Sequence, residues 1–405
     1  MSTKLVTGIF NDSFMPITDG VAMVVKNYAL WLNRLVGPSC VVTVDVPNYY
    51  DSEEFPVYRY FSLPVASRPP YRAGINSMGM VMEKRRRGGQ LNERLRTNLL
   101  DIPFSIIHAH CPFSTGQVAR NIAHIKNIPL VTTLHSKYRN DFEHSFKNSE
   151  FMVEVAMAYM RAFYDSADYV WVPNTEMIQT AREYGIRGKI EVMPNATDLQ
   201  VSDEELPILR AEGAKLFCPN KDDPMLLYIG QHIEEKNTKL LIEALAQAKA
   251  AGTRFKMVFI GDGYFRKEME AMVQKLGISD QVSFKGLILD RDTIKRAYAR
   301  ADLLVFPSLY DVSSLTIKEA AGMRLPSLLT QGSTTSEGVI DGSNGFLSEN
   351  SPESYAKKIG AILADPAMRK KAGIGAYHSL YRSWEDQVGE VGERYRAIVR
   401  DWKGR

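Results

Sequence analysis

PSLYDVSSLTIKEAAGMRLPSLL, residues 307–329, holds the pattern on which the fold turns. The apolar run LLVFP (303–307) leads into it and PSLLT (326–330) closes it, and 314–323 between them has helical spacing. Strand, loop and helix returning to a strand is the building unit of a parallel sheet with helices on its faces. Asp311 falls in the loop and Glu319 roughly two turns into the helix. Between them Ser313, Ser314, Leu315 and Thr316 offer the unpaired backbone N–H groups of a helix N-terminus. Those groups and the helix dipole suit a diphosphate. An ordinary strand–loop–helix with a capping acid reads the same residues equally well on spacing alone.

The unit repeats on both sides. MLLYIG (225–230), KMVFIG (256–261) and VSFKG (282–286) are further strands, with helices expected at 237–251, 264–276 and 290–300. In the first half LVTGIF (5–10), VVTVDV (41–46), SIIHAH (105–110), PLVTTLH (129–135) and YVWVPN (169–174) read as buried strands, with helices at 21–35 and 115–126 between them. The chain has 405 residues, and a single core rarely grows beyond about 250–300, so two doubly wound α/β domains are expected. The boundary falls near MPNATD (193–198), giving domains at 1–195 and 196–380. Segment 202–224 is polar, and Pro207, Pro219 and Pro224 are read as breaking any long element there. The tail is helical, with Trp384, Val388, Val391, Tyr395 and Ile398 in helical register, so 381–405 is expected to pack back on the first domain. Ligands of such sheets bind beyond the carboxyl ends of the strands, so two such domains facing across a cleft place the chemistry in the loops there.

Composition narrows the class. The apolar fraction is 45% and the charged fraction 24%, ordinary for a globular chain. A net charge of +3 gives no ground for nucleic acid as a partner. Cys40, Cys111 and Cys218 include no CxxC pair, which argues against a disulfide scaffold or zinc site and for a reducing cytoplasm. The N-terminus lacks a secretory pattern, and no run approaches about 18 apolar residues.

An acidic residue, seven intervening positions, then Glu followed by Ala resembles the signature of the family-four retaining glycosyltransferases of GT-B fold. YIGQHIEEKNTKLLIEAL (228–245) resembles the family's phosphate-clamp segment, FIGDGYFRKEME (259–270) its next strand–turn–helix, and EGVIDGSNGFL (337–347) its late loop. FNDSFMPITDGVA (10–22), IIHAHCPFSTG (106–116) and VTTLHSKYRNDF (131–142) are similar to its acceptor-side segments. The similarity spans nearly the whole chain, with the motifs in the family's order. It implies a hexosyltransferase that takes a nucleotide diphosphate sugar, a UDP-sugar before a GDP-sugar, and passes the sugar to a lipid, lipid-linked glycan or polyol with its configuration retained. It implies no cofactor and no metal.

The resemblance also implies roles. Glu319 binds the ribose hydroxyls, and Asp311 with the backbone at Ser314 and Leu315 holds the donor sugar and phosphates. Lys236 neutralises the diphosphate, Gly20 lets backbone approach the phosphates, His110 stands beside the reacting carbon, and the segment at Leu287 meets the base. Three positions depart from the family: Asp311 replaces Glu, Gln231 in the donor site replaces Arg, and Arg324 replaces a small residue. Losing a charge-assisted contact at Gln231 costs on the order of 1.5–3 kcal/mol unless His232 or Arg324 compensates. These departures motivate the competing reading, a non-catalytic nucleotide-sugar-binding subunit; a GT-B phosphorylase is a third.

Other residues carry plainer readings. His108 and His110 are two apart on one strand and point the same way, a structural pair as readily as a catalytic one. His135 ends the next strand, either lining the acceptor pocket or making a strand-end hydrogen bond. Asp290-Arg291-Asp292 spells a metal-chelating D-x-D but starts a helix, where acids are commonplace. Gly261-Asp262-Gly263 lacks the third glycine of a dinucleotide site. Residues 59–96 carry nine basic and two acidic residues around Lys84-Arg85-Arg86-Arg87. A solvated loop is the first reading; an anionic membrane surface, met by an amphipathic helix through Leu91, Leu95 and Leu99, is the second. The expected location is therefore the cytoplasm, with attachment to the membrane's cytoplasmic face left open and the oligomeric state unread.

Overall fold

The computed structural model describes residues 4–65, 70–75, 80–87, 90–147, 149–220 and 223–405, with the side chains of 85–87 and 90–96 outside the description. The chain forms two compact units: Met1–Asn195 with Trp384–Arg405, and Ala196–Ser383. Among the described residues no helix is long and apolar enough to cross a membrane.

The first unit is built on a nine-stranded sheet. Its order is Ile190–Val192, Tyr169–Val172, Leu130–Thr133, Ile106–Ala109, Thr7–Phe10, Ser39–Val44, Val57–Tyr60, Met80–Arg87 and Gln90–Asn98. Every pairing up to Val57–Tyr60 is parallel. These strands are continuous apolar runs because helices cover both faces; Ser39–Val44 is buried at every position. The order reverses at Thr7–Phe10, whose neighbours are Ser39–Val44 and Ile106–Ala109. The last helix, Trp384–Asp401, packs on Gly20–Leu35 and buries Trp384, Val388, Val391, Tyr395 and Ile398.

Residues 80–98 are not an amphipathic helix. Met80–Arg87 and Gln90–Asn98 are antiparallel strands that extend the sheet from Val57–Tyr60. Leu91, Leu95 and Leu99 imitate a helical period, but Gly88-Gly89 is a hairpin signal. Leu99 is buried in a 3-10 turn, and the side chains of Arg85 to Arg87, Leu91 and Leu95 lie outside the described residues. Arg59, counted with that basic segment, is fully buried and faces no surface.

The second unit carries a six-stranded, wholly parallel sheet in the order Val282–Phe284, Lys256–Ile260, Met225–Ile229, Leu303–Phe306, Ser327–Thr330, Phe346–Ser348. This is the doubly wound, Rossmann-like order, and its reversal point lies between Met225–Ile229 and Leu303–Phe306. The stretch 202–224 is not merely a connector: Glu205–Phe217 is a 13-residue helix. Pro207 stands in its first turn, where the missing N–H has no intrahelical partner to lose. Ser351 and Asp365 cap the helices Pro352–Ala364 and Pro366–Leu380, each with proline at the start.

Candidate active site

The loops leaving the two strands at the reversal point of the second unit carry Lys236 and Asp311. A 3-10 turn, Glu234–Lys236, ends at Asn237 in the left-handed region (φ 58) and turns Lys236 inward, where it is buried. Asn237 ties this loop to the other strand end by donating to the Pro307 carbonyl at 3.3 Å. Ser308 Oγ accepts from the amides of Tyr310 and Asp311 at 3.2 and 3.3 Å and shapes the second loop. The Lys236 ammonium pairs with Asp311 Oδ1 and lies 5.3 Å from the centre of the Tyr310 ring. Asp311 Oδ2 is buried and has no hydrogen-bond partner among the described residues.

Ser314 is the N-cap of the helix Leu315–Gly322 and makes no side-chain capping bond. Its first-turn amides therefore lack the usual local acceptor. Glu319, on the same helix, is buried. Its Oε2 accepts from Tyr298 Oη at 2.7 Å, and its Oε1 lies 2.8 Å from Arg291 Nη1. Burial pushes its carboxyl up, and Arg291 pulls it back. Leu287 is 65% exposed in the loop after Val282–Phe284. Gly286 has φ +71, and its carbonyl accepts from Gly261 N at 2.9 Å.

The side chain of Gln231 is exposed, while its carbonyl accepts from Tyr228 Oη at 3.0 Å. Neither residue offered as compensating for the missing arginine charge is free and charged to do so. Arg324 pairs with Asp203 and lies over the Tyr377 ring at 5.1 Å. His232 is buried among Tyr228, Phe259 and Phe284, with neither ring nitrogen partnered among the described residues, and burial lowers its pKa to about 4. The neighbouring glycines have a packing cause. A Cβ on Gly261 would stand 1.9 Å from the Gly230 carbonyl oxygen, and one on Gly263 2.3 Å from that of His232. Asp290 accepts from Thr293 N at 2.9 Å and caps its helix, so the D-x-D is a cap. Among the described residues no cluster of His, Cys, Asp and Glu is arranged to hold a metal ion.

Replacing His232 with leucine is expected to stabilise the protein by about 1–3 kcal/mol at pH 7, the cost of desolvated, unpaired polar atoms. An unfolded histidine titrates near 6.5 and the folded one near 4, so between those values the unfolded chain binds more protons. Wild-type stability therefore falls as pH drops through that window, and the variant's advantage should widen. Calorimetry at pH 7 and pH 5 checks this; a variant less stable at both pH values refutes it.

In the first unit, Gly20 opens the helix Gly20–Leu35, capped by Asp19, which accepts from Ala22 N at 2.8 Å. Among the described residues no heavy atom lies within 4 Å of where a Gly20 Cβ would stand. His110 follows Ile106–Ala109 and is buried. Its Nδ1 is 2.9 Å from His135 Nε2, and its own Nε2 has no partner among the described residues. His108 spends both nitrogens, on Tyr395 Oη at 2.6 Å and Thr133 Oγ1 at 2.7 Å, and is a packing residue. Burial holds all three imidazoles below the usual range, His135 at about 4, so they are neutral at pH 7.

Sequence reasoning missed Asp12 and Arg291. Asp12 accepts from the amides of Ser114 and Thr115 at 3.0 and 2.9 Å and caps Ser114–Lys126 from 102 positions away, a distance no local pattern signals. Arg291 had a signal: a cation in the first turn of a helix opposes the dipole and calls for a partner.

Family models match both halves: "Glycosyltransferase Family 4" over residues 18–201 and "Glycosyl transferases group 1" over 216–379. The chain is 25% identical over 402 residues to an uncharacterised glycosyltransferase of Methanocaldococcus jannaschii, covering 96% of this chain and 97% of the other. It is 22% identical over 323 residues to the alpha-monoglucosyldiacylglycerol synthase of Streptococcus pneumoniae, covering 79% and 69%. Among solved structures it shares its fold with Anabaena HepE in complex with UDP and glucose, at a TM-score of 0.71 and 18% identity, covering 97% and 100%.

Proposed function

The chain belongs to the GT-B glycosyltransferases of family-four type, and on that premise we propose that it moves a hexose from a UDP-sugar to a lipid, lipid-linked glycan or polyol with retention of configuration. The observation that carries this is the Lys236–Asp311 pair at the reversal point of the second sheet. An ammonium has three donors and Asp311 uses one, so Lys236 retains donors for a diphosphate. The unpartnered Oδ2 of Asp311 is an acceptor for a sugar hydroxyl. The amides at Ser314 and Leu315 add donors for the phosphates, Glu319 accepts the ribose hydroxyls, and the backbone near Leu287 meets the base. As the sugar–phosphate bond breaks, negative charge grows on the leaving phosphate, and fixed donors stabilise it without a metal. Front-face attack through an oxocarbenium-like state delivers the acceptor proton to that phosphate. His110, neutral and with Nε2 unpartnered, supplies a hydrogen bond beside the reacting carbon. Gly20 leaves room for backbone beside the phosphates.

UDP as the nucleotide is supported by the fold shared with UDP-bound HepE, and a lipid acceptor by the similarity to the pneumococcal synthase. Peripheral docking on the anionic cytoplasmic face of a membrane, through the basic residues of 59–96 other than the buried Arg59, belongs to the same proposal. The exposed, neutral Gln231 favours a second reading, a subunit that binds the donor without turning it over.

Thermal shift against UDP, GDP and ADP and their sugars tests the site, since a ligand raises stability with the logarithm of its concentration over Kd. UDP compounds are expected to give the largest shift. Slow release of UDP from the donor, enhanced by liposomes containing diacylglycerol and lost in His110→Ala, marks the enzyme. Tight binding with no release across an acceptor panel marks the subunit, and no shift with any nucleotide removes the proposal.

A further inference from the structure

Arg291 sits where its helix disfavours it. It is the first residue of Arg291–Arg300, at the positive end of the dipole. Its guanidinium lies between two carboxylates, with Nη1 2.8 Å from Glu319 Oε1 and Nη2 2.6 Å from Asp198 Oδ1. Its Nε is buried without a hydrogen-bond partner among the described residues. A buried donor left unpaired opposes folding, so the arginine persists here against two local costs.

Its neighbours hold it in place. Thr197 N donates to the Arg382 carbonyl at 3.0 Å, and Thr197 bridges Ser383. On the far side of Asp198, the Leu199 carbonyl presses on the helix of Glu319, 2.0 Å from where a Gly322 Cβ would stand. Asp198 is thus fixed between the stretch 381–383 and that helix, and it fixes Arg291 in turn.

Glu319 gains from this arrangement. An ionised carboxylate has about four acceptor sites. Arg291 takes one and Tyr298 another, which leaves two, the number a vicinal diol needs. A protonated carboxyl would give up acceptor capacity and present a donor instead. The charged and titratable groups acting on Glu319 are Arg291, Tyr298 and Asp198. Burial and Asp198 push its carboxyl up, while Arg291 and Tyr298 hold it down.

We propose that Arg291, anchored by Asp198, is a positioning residue that keeps Glu319 an oriented acceptor for the two ribose hydroxyls of the donor nucleotide. The inference rests on the ribose role given to Glu319 above. Arginine suits the task because its planar fork reaches two carboxylates at once, which a lysine ammonium does not.

Calorimetric titration of the full chain with UDP and 2′-deoxy-UDP tests it. The wild type is expected to prefer UDP by about tenfold or more, the worth of one charge-assisted hydrogen bond. Arg291→Gln should bring that ratio close to one, weakening 2′-deoxy-UDP, which keeps the 3′-hydroxyl contact, much less than UDP. The variant's UDP to 2′-deoxy-UDP ratio, in which the titration of the phosphate cancels, should depend on pH more steeply than the wild type's, because the carboxyl that burial raises loses the cation that holds it down. Arg291→Lys, which restores the charge without the fork, should recover part of the ratio. A merely structural role would weaken both nucleotides alike, and that result overturns the inference. So does a wild-type preference that survives Arg291→Gln. A wild-type chain that binds no UDP overturns the reading of the site itself, and this inference with it.

Discussion

Lys236→Ala is expected to lower the rate of UDP release from the donor by about 10²–10³, the worth of one preorganised donor aimed at developing charge. Lys236 and Asp311 lie 75 positions apart and meet only because their strands are neighbours at the reversal point of the second sheet. Both are largely shielded, with side-chain exposures of 9% and 18%. Removing the ammonium therefore has two effects: the diphosphate loses its cation, and Asp311 keeps a carboxylate with no counter-charge. The second effect repels the donor as well. Asp311→Asn in the Lys236→Ala background removes that repulsion, so the double variant should be no slower than Lys236→Ala and should melt higher. Groups acting as a unit are non-additive in this way. Steady-state rates and melting temperatures of Lys236→Ala, Asp311→Asn and the double variant decide it. A Lys236→Ala enzyme within threefold of wild type, or fully additive losses, would show that the pair does not act on the donor.

What was legible in the sequence followed from periodicity, and what was missed followed from contacts distant in sequence. The strands of both sheets were readable because parallel strands covered on both faces are unbroken apolar runs, such as MLLYIG and LLVFP. Two elements were misread for local reasons. Pro207 looked like a breaker, yet in a first helical turn it costs little. Leu91, Leu95 and Leu99 matched a helical period inside what is a hairpin, and Gly88-Gly89 was the stronger signal. At the site, the residue types were visible and their partners were not. Nothing in the spacing of Lys236, Asp311, Arg291, Asp198 and Glu319 shows that two ion-pair systems join them. Nor does a strand-end HAH motif show that His108 is fully bonded while His110 keeps one nitrogen unpartnered.

Arg59 makes the same point through stability. By sequence it belonged to a basic stretch facing solvent or lipid; in the fold its side chain and that of Asp51 are both 0% exposed. Nε and Nη2 meet the two Asp51 oxygens at 2.8 Å each, Nη1 donates to the Val44 carbonyl at 2.8 Å, and Nη2 also donates to the Met15 carbonyl at 2.7 Å. The guanidinium lies 5.2 Å from the centre of the Tyr49 ring. One side chain thus joins the strand Val57–Tyr60, the end of Ser39–Val44 and the loop at Met15. Arg59→Ala strands a buried carboxylate and two carbonyls and is expected to cost about 3–5 kcal/mol. For a unit of this size that lowers its melting temperature by roughly 6–20 °C. Arg59→Lys keeps the charge but loses the fork, and should fall between. The decisive variant is Arg59→Met with Asp51→Leu, which removes both charges and keeps much of the volume. If the penalty of the single variant comes from the abandoned carboxylate, the double variant must be more stable than Arg59→Ala, because an apolar pair leaves no buried charge unpaired. Scanning calorimetry of the four proteins measures this directly. A double variant as unstable as Arg59→Ala would locate the cost in the lost carbonyl contacts and the packing over Tyr49 instead of the ion pair.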